Sequence, residues 1–377
     1  MIYLDNSATT KPFESVVDVM SNVMRDHWGN PSSTYVFGDD ARQIIEDTRN
    51  QIASDINCDP AEIIFTSGAC EANSLAYTAN IGRNPRYVVS SRMEHKSLYE
   101  INKQYARFVD NDGLGNISLA SLYNNFTGMQ NAGRSWFVTL QAANGEIGVI
   151  QNIKELSEWA HDFDVIFHTD ATQLFAEQKI DVKALGIDMM SVSAQKFNGP
   201  RGAGFLYVKN GIQLQPIIYG AQENGRRGGT YDTAAIAGMG EALRITRELQ
   251  SNGSCANVCK LRNHMLENLM HIPGVRLNGP NVDSNRLANN INITIDGVSA
   301  ERLTTMCSLC GVYISKGSAC QSYEAVPSHT LKAIGLNDKE ALSSIRITLG
   351  HENTEEEIEQ ASKIITKLIE RIRLESE

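Results

Sequence analysis

The stretch Ser193-Ala194-Gln195-Lys196-Phe197-Asn198-Gly199-Pro200-Arg201-Gly202 sets a lysine directly after a strand-like run and before a glycine-rich turn. Lysine is ordinarily a solvated surface residue. A second run changes how this one reads. Val165-Ile166-Phe167-His168-Thr169 has the same strand-like character and ends in Asp170. Open α/β sheets bind their ligands in the crevice outside the carboxyl ends of the strands. An amine at one such end and a carboxylate at another are the minimal pair for pyridoxal 5'-phosphate: a Schiff-base lysine and an acid for the pyridinium nitrogen.

Outward from these two runs, short apolar segments alternate with helical patterns. Ile63-Ile64-Phe65, Tyr87-Val88-Val89, Trp136 to Leu140 and Gly204 to Val208 are strand-like, and Ile153 to Phe163 is helical. Such alternation implies βαβ units and a mostly parallel sheet, hence an α/β fold. From Thr233 to Met270 the pattern is helical, interrupted at Asn252-Gly253. Strand-like runs follow at 290–295, 312–314 and 345–347, and a capping-box-like opening at Asn353-Thr354-Glu355-Glu356 starts the last helix. A chain of 377 residues is long for one core. The expected division is a large α/β domain over 13–254 and a small α+β domain over 255–377, with residues 1–12 packed on the small one.

A hydrophobic fraction of 42% with 21% charged residues is ordinary for a globular protein. The net charge of -10 comes with no basic stripe, which argues against a direct nucleic-acid ligand. Met1 to Asn6 has no basic or long apolar segment, so no secretory signal is expected. No apolar run approaches the roughly 20 residues that span a bilayer. Seven scattered cysteines point to reduced thiols and a cytoplasmic setting.

Thr66-Ser67-Gly68-Ala69-Cys70-Glu71 is a small-residue turn into a helix, a shape whose N–H groups suit a phosphate, although most such turns only connect elements. Cys320 lies among small polar neighbours in Ser315-Lys316-Gly317-Ser318-Ala319-Cys320-Gln321-Ser322, where an exposed thiol can react if its thiolate is stabilised. Cys307/Cys310 and Cys255/Cys259 have metal-like spacing, but Cys307 and Cys310 fall within an apolar helical pattern and read better as core residues. No metal site is expected.

Taken in order, Tyr3-Leu4-Asp5-Asn6-Ser7-Ala8-Thr9-Thr10, Gly29-Asn30-Pro31-Ser32-Ser33, Glu94-His95-Lys96, Asn144-Gly145-Glu146-Ile147-Gly148, Asp170-Ala171-Thr172-Gln173, Arg227-Gly228-Gly229-Thr230, Gly317-Ser318-Ala319-Cys320 and Arg346-Ile347-Thr348-Leu349-Gly350 closely resemble the class V, fold-type I cysteine desulfurases of the NifS/IscS kind. The resemblance implies a homodimer that takes sulfur from L-cysteine, leaves L-alanine, and carries the sulfur as a persulfide on Cys320. It implies that Lys196 holds the cofactor and moves the Cα proton, that Asp170 pairs with the ring nitrogen, and that His95 stacks on the ring. Gln173 and Asn144 match contacts around the phenolic oxygen, and Asn144 also lies at the substrate. Ala69, Cys70, Ser193 and Gln195 match the phosphate cup, Thr230 a phosphate contact given by the second subunit, and Arg346 the clamp on the substrate carboxylate. The stretch from Lys316 to about Pro327 resembles the family's long-loop group. A protein acceptor is implied, either an iron–sulfur scaffold or a tRNA-thiolation protein; the chain's end at Ser376-Glu377 suggests that a scaffold-docking extension is lacking.

Three residues depart from the family pattern. Gln195 replaces a usual histidine, Cys70 a common threonine and Tyr35 a frequent histidine. Glutamine donates a hydrogen bond but cannot titrate near neutrality. Other readings remain open at this point: a selenocysteine lyase, another class V aminotransferase, or a weakly active homologue serving as a sulfur-transfer adaptor. An aminotransferase has no use for a loop cysteine, so Cys320 speaks against that one.

Overall fold

A computed structural model describes residues 1–80, 87–127, 136–317 and 326–375. In chain order its strands are β1 (Ile2–Tyr3), β2 (Ile63–Thr66), β3 (Tyr87–Ser91), β4 (Ala106–Val109), β5 (Trp136–Thr139) and β6 (Ile166–Asp170). They continue with β7 (Met189–Ser193), β8 (Gly204–Val208), β9 (Val275–Leu277), β10 (Asn290–Ile295), β11 (Val312–Tyr313) and β12 (Ser344–Thr348).

Seven strands form one sheet in the order β2-β8-β7-β6-β5-β3-β4. Neighbours from β4 to β7 pair in parallel, while β8 runs antiparallel to both β7 and β2. The expected mostly parallel α/β sheet is thus present, with β8 reversed. Successive residues feed opposite faces, as the two-residue period of a strand requires. Val138, Met190 and Phe205 enter one core, and Phe137, Met189 and Leu206 enter the core on the other side. Burial on both faces explains why β2 and β8 show no polar alternation.

A second, antiparallel sheet has the order β12-β10-β9. Ile291, Ile293, Ile345 and Ile347 pack there against apolar faces of the helices Ser254–Met270, Ala300–Leu309 and Glu355–Leu374. The first residues join this core rather than the large sheet. β1 pairs in parallel with β11, and Ile2 and Leu4 are buried among the same side chains. The chain then crosses to the large sheet, where Thr10 N–H donates to the Gln195 carbonyl at 3.0 Å.

Helix boundaries follow local chemistry. The Asp232 side chain accepts from Ala235 N–H and opens Thr233–Ser251, which ends before Gly253 at φ +80°. Thr354 and Glu357 form the capping box of Glu355–Leu374. Cys307 is buried in the second core, where burial pushes its thiol up to about 12, and Cys310 is exposed beyond the helix end. Among the described residues no helix is long and apolar enough to cross a membrane.

Candidate active site

The segments that follow β2, β3, β5 and β7, with the end of β6, meet Arg346 of β12 around a cleft of about 380 Å³. The carboxyl ends of the parallel strands point their successor residues to one side of the sheet, so residues far apart in sequence converge there.

Asp170, the last residue of β6, is buried. Its Oδ2 accepts from Asn73 Nδ2 at 2.8 Å and its Oδ1 from Thr172 N–H at 3.0 Å, which fixes the direction of the carboxylate. Two residues earlier on the same strand, His168 is fully buried between hydroxyls, Nδ1 at 2.8 Å from Thr139 Oγ1 and Nε2 at 2.9 Å from Ser191 Oγ. Burial pulls its pKa down to about 4, so this imidazole is neutral beneath the acid.

Lys196 closes the single helical turn after β7. Its Nζ donates to two carbonyls of the N-terminal segment, Ser7 and Ala8, each at 2.6 Å. Gln173 Nε2 donates to the same Ser7 carbonyl at 3.2 Å. His95 stands at the start of the helix Lys96–Tyr105 and accepts Ser97 N–H at Nδ1, 3.2 Å away. An accepting Nδ1 puts the proton of the neutral ring on Nε2. Asn144 braces its own loop: Oδ1 accepts N–H from Glu146 and Ile147 at 2.9 Å each, and Nδ2 donates to Met93 O at 3.0 Å. One Nδ2 hydrogen remains for another partner.

The helix Ala69–Tyr77 begins at the cleft with Ala69 and Cys70, and Gly68 before it has φ +141°. The strand behind comes very close. A Cβ on Gly204 would lie 2.7 Å from Gly68 Cα and 2.5 Å from the Val192 carbonyl, so glycine is needed there for the turn to sit beside Ser193. Glu71 accepts Ser67 N–H at 2.7 Å and pairs with Arg227 at 2.7 Å, which stiffens the turn.

Lys196, Asp170, His95, Asn144, Gln173, Ala69, Cys70, Ser193, Gln195 and Arg346 therefore share one cleft. Thr230 is exposed and does not line it. Cys320 lies outside the described residues. Two glutamates went unassigned in the sequence. Glu94 and Glu146 are buried in the cleft wall, and burial holds both carboxyls above their ordinary range, Glu94 by much more. For Glu146 the available signal was an acid inside a motif otherwise rich in small or amide residues; Glu94, between Met93 and His95, carried no such signal.

Residues 2–361 match the class-V aminotransferase family model. The chain is 35% identical to a protein named cysteine desulfurase IscS from Clostridium botulinum, over 99% of this chain and 95% of that one. A NifS-like protein from Rickettsia africae superposes with a TM-score of 0.89 at 29% identity, covering 98% of this chain and 99% of that one. A structure titled SspA in complex with cysteine superposes with a TM-score of 0.79 at 29% identity, covering 93% and 99%. The chain belongs to the class-V aminotransferase family, a family that in general depends on pyridoxal phosphate. Its place within that family is among the cysteine desulfurases of the NifS/IscS kind.

Proposed function

We propose that the chain converts L-cysteine and a thiol to L-alanine and a persulfide, with the residues of the cleft in the following roles. The observation that carries this reading is the convergence of Lys196, Asp170 and Arg346 on one cleft. The donor set also fits pyridoxal 5'-phosphate. Ser7 Oγ, Glu94 Oε2, Glu146 Oε1, Thr172 Oγ1 and Arg346 Nε are buried without a partner among the described residues, and all five belong to residues lining this cleft. Buried polar atoms are normally satisfied, so such a cluster marks a wall built to meet polar ligand groups. When bound, the cofactor supplies an electron sink for charge developing at the substrate Cα.

In this reading Asp170 holds a proton on the ring nitrogen, with Asn73 and Thr172 keeping its carboxylate in line. Ser193, Gln195 and the turn at Ala69 and Cys70 hold the phosphate at a helix N-terminus, where dipole and N–H groups favour an anion. His95 would cover the ring, and Gln173 and Asn144 would border its phenolic oxygen. Lys196 would hold the cofactor and carry the Cα proton; the Ser7 and Ala8 carbonyls give its amine a resting place. Arg346 takes the substrate carboxylate, for which a planar fork of donors is suited. The Cys320 thiolate takes the sulfur as the carbon–sulfur bond breaks, and Cβ gains a proton as alanine leaves.

Further parts of the proposal are a homodimer, in which Thr230 reaches the partner's phosphate, a cytoplasmic setting, and a protein acceptor such as an iron–sulfur scaffold or tRNA-thiolation protein. The exposed Trp28–Phe37 stack, with ring centroids 5.5 Å apart, supports a second copy as neighbour. The large domain over 13–254 and the small one over 255–377 with 1–12 fit the two sheets and their separate cores. The test is to follow alanine release from L-cysteine by the cofactor-loaded protein with a thiol reductant, beside Cys320→Ala. Equimolar alanine and sulfide from the native chain and loss of both from the variant are expected. Equal turnover by the two proteins would remove Cys320 from the reaction.

A further inference from the structure

Arg346 sits in mid-strand on β12 and is only 5% exposed. A buried guanidinium needs a counter-charge, since removing a cation from water without one is costly. The structure supplies it from the far end of the chain. Arg346 Nη2 donates to Asp5 Oδ1 at 2.6 Å. Nη1 makes only a long contact, 3.4 Å, to the Gly145 carbonyl, and Nε is buried without a partner among the described residues.

Asp5 is not placed by chance of rotamer. Its backbone bridges to Thr348, two residues beyond Arg346 on the same strand. Thr348 N–H donates to Leu4 O at 2.8 Å, Asn6 N–H to Thr348 O at 3.2 Å, and Ser7 N–H to Thr348 Oγ1 at 2.9 Å. Acid and guanidinium are thus held by one strand's register. Two roles are compatible with such a pair: the acid competes with the substrate for Arg346, or it presents Arg346 to the substrate. The contact decides between them. One Asp5 oxygen takes one of the three nitrogens, and a guanidinium carries five N–H donors. Nη1, whose contact to the Gly145 carbonyl is long, keeps donors for an incoming carboxylate, while the charge that would otherwise pull the side chain away is already balanced.

We propose that Asp5 is a positioning residue for recognition of the substrate's α-carboxylate: it neutralises and aims Arg346 in advance and leaves the weakly engaged Nη1 donors for the substrate. This rests on the reading of Arg346 as the carboxylate site. Asp5 itself touches Arg346 and not the reacting atoms.

The experiment uses cofactor-loaded full-length native protein, Asp5→Ala, Asp5→Asn and Arg346→Ala. It measures KM and kcat for L-cysteine, with competitive inhibition by L-alanine and by L-alaninamide, which lacks the carboxylate charge. Asp5→Ala is expected to raise KM roughly 10- to 100-fold, the worth of one hydrogen bond to a charged group, with kcat within a few-fold. L-alanine inhibition should weaken in parallel and alaninamide inhibition stay level. Asp5→Asn, nearly isosteric and still an acceptor, should fall between, and it keeps the test alive if Asp5→Ala does not fold. A lower KM in either Asp5 variant would establish competition and overturn the proposal. Equal weakening of both inhibitors would reduce Asp5 to a structural role and overturn it too. If Arg346→Ala leaves the alanine-to-alaninamide preference intact, the carboxylate site itself is misassigned; if it abolishes that preference while the Asp5 variants do not, only the inference fails.

Discussion

The two sheets serve the cleft in different ways. The seven-stranded sheet contributes at strand ends: Asp170 closes β6, Lys196 follows β7, and the Gly68 turn follows β2. The three-stranded sheet contributes from within a strand. Arg346 faces Asn292 in register, and its backbone exchanges two hydrogen bonds with Ser315. At a strand end the backbone is already turning and topology alone brings side chains together. In mid-strand a charged residue is locked into a ladder, and burial obliges the fold to bring a partner to it. In the proposed function the large sheet therefore carries the bond-making residues and the small sheet the recognition, a division that substitutions can break.

The sharpest break is Lys196→Ala. If Lys196 carries the proton as proposed, its loss costs about 10²- to 10⁴-fold in rate, and kcat for alanine formation should fall by at least that much with the fold intact by circular dichroism. A residual kcat near native would place the proton transfer elsewhere. Next comes Gly204→Ala, which pushes a methyl group into Gly68 and the Val192 carbonyl. Overpacking of this kind costs about 1–3 kcal/mol, so thermal unfolding should drop and cofactor should be lost more readily on dialysis. Unchanged retention with lowered stability would separate the turn from phosphate binding.

A smaller effect tests the floor under Asp170. His168 is held neutral by burial, with its pKa lowered from 6.5 to about 4. The unfolded chain takes up that proton first as pH falls, so the stabilisation is full above about 6.5 and is lost on the way down toward 4. Native protein should therefore lose thermal stability across this window more steeply than His168→Asn; parallel slopes would show that other groups govern the acid limb. The smallest effect belongs to the phosphate cup. Gln195→His with Cys70→Thr adds a titratable donor and a hydroxyl, and cofactor retention should tighten a few-fold in a dialysis assay, with the reaction unchanged. No gain would mean that backbone donors carry the phosphate.

Much of the large sheet was legible because its central strands open on apolar residues and end in polar ones. The helix break at Asn252-Gly253 and the cap at Thr354 were legible for local reasons, since each needs only its own neighbours. Three strands were not. β1 is two residues long, β4 is an edge strand whose Arg107 side is exposed, and β9 is three residues long with Arg276 exposed, so none builds a recognisable pattern. Lys196 and Asp170 declared themselves by following apolar runs. Arg346 did not, because a mid-strand arginine reads as surface, and only the resemblance gave it a role. Asp5 was out of reach of any local pattern: its partner is 341 residues away. Glu94 and Glu146 were hidden by the general rule that acids lie outside, which a ligand-lined wall reverses.

The N-terminal crossing also has a consequence for how the protein is made. Asp5 and Ser7 leave the ribosome 341 residues ahead of their partners on β12. Contacts that close so long a loop form late. A nascent chain can assemble its large sheet, with Asp170 and Lys196 at the strand ends, well before β12 brings Arg346 to the cleft, so under the proposed roles prematurely terminated products lacking β12 would keep the amine without the means to select a substrate.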